Sequence, residues 1–84
     1  MDQGTQFFKV ENTSDDYVRS VIGSVYVAMS EKGYNPVSQM VGYLMSGDPT
    51  YITSHMNARS AIARVERDEI IEELVKLYLT TLER

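Results

Sequence analysis

The chain has no cysteine, one histidine, two prolines and few basic residues among its 84 positions. Without cysteine there is no disulfide framework, no thiolate nucleophile and no zinc knuckle of the usual kind. Eight Lys and Arg stand against twelve Asp and Glu, a net charge of −4. Binding a phosphate backbone normally needs a basic patch or stripe, so this balance disfavours nucleic acid. Only Arg59, Arg64 and Arg67 lie close enough in sequence to form a local one. Long apolar runs are also missing. The longest, Val25 to Met29, is far short of the ~20 residues a membrane span needs, and no signal peptide precedes it. A cytoplasmic protein is expected.

What is present reads as one small globular domain. Apolar residues make up 43% and charged residues 24%, too apolar for a disordered chain. At this length a single core is near its lower limit, and a domain without disulfides or metal often gains buried surface by pairing with another chain.

Met1 to Thr13 has no helical period and is read as a mobile arm, residues 1–13, ahead of a single helical domain, 14–84. Ser14 with Asp15 and Asp16 is a helix start: a hydroxyl cap, then acids at the positive end of the dipole. Val18, Val21, Ile22, Val25 and Met29 follow at helical spacing, and Gly33 stops the element. Tyr17, Tyr26 and Val27 widen the apolar band. Gly23, in mid-helix, either admits a close neighbour or is simply tolerated. Asn35-Pro36 opens a second helix carrying Val37, Met40, Val41 and Leu44, which Gly47 ends. Asp48-Pro49 starts a further turn at once, predicted to bury Tyr51 and Ile52. Ser46-Gly-Asp-Pro49 is therefore read as a corner. As a catalytic site it lacks a base near Ser46 other than His55, and the nucleophile elbow is absent.

Thr53 or Ser54 is predicted to cap a third helix through Met56, Ala58, Ala61, Ile62 and Val65. Near Arg67-Asp68 it either continues or breaks into a final helix bearing Ile70, Ile71, Leu74, Val75, Leu77, Tyr78 and Leu82. Glu66, Asp68, Glu69, Glu72 and Glu73 read as the solvated side of that helix rather than a metal site. His55 reads as a capping or hydrogen-bonded residue, since a metal needs three or four converging ligands. No catalytic constellation, cofactor site or metal site is expected. The fold class is all-α, a compact bundle of four to five short helices. The first and last helices carry bands too wide for so short a chain to enclose. A homodimer is the consequence, with Val25, Tyr26, Met29, Leu74, Leu77 and Tyr78 as interface candidates.

Several blocks then carry a resemblance: Glu31-Lys-Gly-Tyr-Asn-Pro36, Gln39, Val41-Gly-Tyr-Leu44, Ser46-Gly-Asp-Pro49 with Tyr51-Ile52, His55, Ala58-Arg59 and Glu66 to Val75. In order and spacing, from about Val25 to Leu79, the chain resembles the IreB-type family of small regulatory phosphoproteins of Gram-positive bacteria. None of these blocks is a catalytic signature. The resemblance implies a cytoplasmic, dimeric, all-helical protein. Its threonine would be phosphorylated by a transmembrane, cell-wall-sensing Ser/Thr kinase and restored by a partner phosphatase. The implied output is restraint of envelope stress responses, intrinsic cephalosporin resistance included, through an unnamed downstream protein.

By position the modified residue is Thr5. The family's second threonine falls at Asp2, a fixed negative charge. Thr53, where the family tends to have proline, and Met56-Asn57, where it is more polar, also depart. Phosphate would add about −1.5 to −2 of charge and three acceptor oxygens, with Arg19, Arg59 or Arg64 as docking candidates. The alternative from another class is a small helix-turn-helix DNA regulator, with Pro36–Ser46 and Met56–Val65 as its helices and Arg59, Arg64 and Arg67 on one exposed face.

Overall fold

The computed structural model describes the side chains of residues 15–83. The side chains of residues 1–14 and of Arg84 lie outside the described residues, and with them those of Thr5, Asp2, the Ser14 cap and the rest of the expected arm. The elements in order are α1 (Asp2–Glu31), α2 (Pro36–Ser46), 3-10 turns at Pro49–Tyr51 and His55–Asn57, α3 (Ala58–Ala63) and α4 (Arg67–Leu82). No strand occurs among the described residues.

The chain's stop signals act locally, as their chemistry requires. Gly33 takes the left-handed conformation (φ 79°) that closes α1. The Gly33 and Tyr34 amides then donate to the carbonyls of Ser30 and Met29, satisfying acceptors that the helix end would leave bare. Asn35 accepts from the Ser38 amide at 3.1 Å, and Pro36 follows at the first helical position. Gly47, also left-handed, ends α2. The Asp48 carboxylate then accepts from both the amide and the hydroxyl of Thr50, at 3.0 and 2.7 Å. The Ser-Gly-Asp-Pro stretch is a corner.

α1 supplies the spine of the core. Val18, Val21, Val25, Ala28 and Met29 repeat at three and four residues and are buried. Against them pack Tyr43 of α2, Ile52, Ala58 and Ile62 of α3, Val65 in the link after α3, and Ile70 of α4. Gly23 faces open space, so no neighbour requires it there.

Three expectations are corrected and one open alternative is decided. The third helix starts later, at Ala58. The His55 amide donates to Thr53 Oγ1 and the Asn57 amide to the Ser54 carbonyl, which ties this stretch into a 3-10 turn. Met56 and Asn57 are both left-handed there, and Met56 is exposed instead of joining an apolar stripe. Asn tolerates that region by local hydrogen bonding, whereas Met does not, and strain of this kind costs of order 1–3 kcal/mol.

The path then breaks at Val65. Glu69 Oε1 accepts from the Glu66 amide at 3.1 Å, the back-reaching half of a capping box, and α4 begins as a separate helix. Tyr51, expected buried, is partly exposed, with only Ile52 fully enclosed. The Tyr51 ring lies against Gly42, close enough that a Cβ there would overlap it.

Glu73, expected on the solvated side of α4, is 2% exposed. It sits three residues after Ile70 and next to Leu74, on the side of α4 that meets α1.

Candidate interaction surface

Two helical faces remain apolar after the core is filled. On α2, Val37, Val41 and Met45 recur every four residues on the outside, and Met45 is 81% exposed. On α4, Ile71, Val75, Tyr78 and Leu82 form a second exposed stripe at helical spacing. Between them runs a groove of about 370 Å³, walled by Ile22 and Tyr26 of α1, Val37, Met40, Val41 and Leu44 of α2, and Leu74 of α4. Not one lining residue is charged. Every residue of α2 itself is uncharged, so the face has no electrostatic reason to stay in water.

The expected interface residues divide. Val25 and Met29 are fully buried inside the chain's own core and present nothing to a second molecule. They lie at the centre of the α1 stripe, which the single chain already covers. Tyr26 lies at its edge and is exposed, as are Leu77 and Tyr78, while Leu74 is half-buried in the groove wall. Val37, Val41 and Met45 were not among the candidates. Their recurrence on a helix free of charge was the available signal.

The cations expected to receive phosphate are held elsewhere. Arg19 Nε donates to Glu73 Oε2, and this bond, together with the Glu73 charge, holds the guanidinium above its ordinary value. Lys76 Nζ stands 3.9 Å from Asp15 and 4.0 Å from Glu73. A buried carboxylate thus meets two cations at the seam of α1 and α4. Arg59 Nε donates to the Ile52 carbonyl at 2.8 Å. Arg67 Nη1 donates to the Leu44 carbonyl at 3.0 Å, its guanidinium lying over Gly47. Arg64 is exposed at the end of α3.

The face needed by a helix-turn-helix reader is therefore not assembled. Two of its three arginines serve backbone carbonyls, and α3 has six residues, with Ala58 and Ile62 turned into the core. His55 Nε2 lies 2.8 Å from Glu31 Oε1, tying the 3-10 turn to the end of α1. Among the described residues no three metal-ligating side chains converge, and no helix is long and apolar enough to cross a membrane.

The profile of a family described as IreB regulatory phosphoprotein matches residues 3–80. A UPF0297 protein of Lachnoclostridium phytofermentans is 61% identical over 75 residues, covering 89% of this chain and 85% of that one. UPF0297 proteins of Ruminiclostridium cellulolyticum and Acetivibrio thermocellus are each 55% identical over 75 residues. They too are matched by 89% of this chain, which covers 85% and 83% of their lengths. The chain belongs to the IreB regulatory phosphoprotein family.

Proposed function

We propose that this protein is a non-enzymatic, phosphorylation-controlled binding module that acts as a cytoplasmic homodimer. Thr5 is the residue modified by a transmembrane, cell-wall-sensing Ser/Thr kinase and restored by its phosphatase. The output is restraint of the envelope stress response, intrinsic cephalosporin resistance included, through a downstream protein. Family membership supports the regulatory and phosphoprotein parts of this reading.

The observation that carries the homodimer is the uncharged surface spanning Tyr26, the α2 stripe, the groove and the α4 stripe. Contiguous apolar patches beyond a few hundred Å² mark interaction sites on soluble chains. A standard interface buries about 800 Å² per partner. Its charge-free character suits a self-complementary contact, in which each copy offers the same patch to the other.

Incubation with the kinase domain and ATP tests the modification. The wild-type chain is expected to gain one phosphate and Thr5→Ala none, read by intact mass. Equal phosphorylation of Thr5→Ala would remove Thr5 from the scheme. Affinity capture with Thr5→Ala and Thr5→Glu side by side then tests the output, with partner sets expected to differ. Identical sets would separate the phosphate from partner choice.

A further inference from the structure

We draw no further inference here: the strongest candidate, the apolar groove between α1, α2 and α4, belongs to the self-association surface already proposed, and nothing in the structure points to another occupant.

Discussion

Replacing Val41 by glutamate separates the folding of one chain from its association with a second. Val41 lies on the outer face of α2 and is 53% exposed. In a single chain the new carboxylate stays in water, and glutamate is at least as good a helix former as valine. Helicity and core packing should therefore survive. In the proposed homodimer the same position would be buried twice, because a two-fold axis brings the same patch from each copy. Each copy forfeits about 1 kcal/mol of valine burial. Each also has to desolvate a carboxylate against an apolar face or take up a proton, at about 2 kcal/mol or more.

Doubled, the penalty is about 6 kcal/mol, or roughly four decades in Kd, and relaxation at the edge of the patch would still leave about two. Sedimentation velocity across a concentration series reads the shift, with circular dichroism as the folding control. Ser20→Glu adds the same charge to an exposed position of α1 opposite its buried stripe, and should leave association unchanged. If Val41→Glu associates like the wild type while Ser20→Glu does not, the interface has been put on the wrong face. A wild-type chain that stays a compact monomer at high micromolar concentration refutes the dimer itself.

Ile62→Ala opens a cavity at a fully buried site and should cost about 3 kcal/mol, lowering Tm by roughly 15 °C in a domain this small. An unchanged melting curve would mean that α3 does not pack into the core. Arg19→Met should destabilise more than the double variant Arg19→Met/Glu73→Leu, because the single change leaves a buried carboxylate without its main partner. Equal losses in urea titrations would place Glu73 in water.

Gly42→Ala should lower Tm by collision with the Tyr51 ring, and Tyr51→Ala in the same chain should relieve that increment. No relief would mean that the ring does not lie there. The Thr50 hydroxyl and amide hold the Asp48 carboxyl below its ordinary value of 3.8. A group with a depressed folded value contributes stability above its unfolded value and loses it as the pH falls through the folded one. Asp48→Asn should therefore lower Tm at neutrality by more than it does in acid, and so flatten the acid limb of the profile below about pH 4. An unaltered acid limb would deny Asp48 that role.

What the sequence made legible was whatever a few neighbouring residues decide. Gly33, Asn35-Pro36, Gly47 and Asp48-Pro49 act within one helical turn, through a positive φ, a missing amide hydrogen or a short side chain reaching its own backbone. Their outcome does not depend on the rest of the fold. The core stripe of α1 was legible for a related reason, since spacing alone puts Val18, Val21, Val25 and Met29 on one side. Glu73 was misread because charge was given more weight than position. Its place three residues after Ile70 and next to Leu74 put it on the packed side, and the cation that makes burial tolerable is 54 residues away. The left-handed pair Met56-Asn57 was not legible at all, since Met prefers no such conformation and only the surrounding hydrogen bonds impose it. Among the interface candidates, band width identified α1 correctly as over-provided with apolar surface. It could not separate the centre of the band, which the chain hides by itself, from the edge at Tyr26, which it leaves outside.

That separation also bears on where a phosphate on Thr5 can act. Arg19 cannot turn to a phosphate without stranding Glu73, whose other cation in reach among the described residues is Lys76 at 4.0 Å. The loss of a buried carboxylate's partner offsets what a solvated phosphate–arginine contact returns. Arg59 would have to abandon the Ile52 carbonyl next to a fully buried side chain. Of the three docking candidates, Arg64 alone has no such commitment among the described residues. With Arg19, Arg59, Arg67 and Lys76 engaged in holding the elements together, Lys32 and Arg64 are the described cations left to meet a phosphate on the same chain. The added charge is then better suited to recognition by a basic surface on another protein than to reorganising this fold. In that arrangement the helical domain provides a paired platform, and the message is carried by the segment before Asp15.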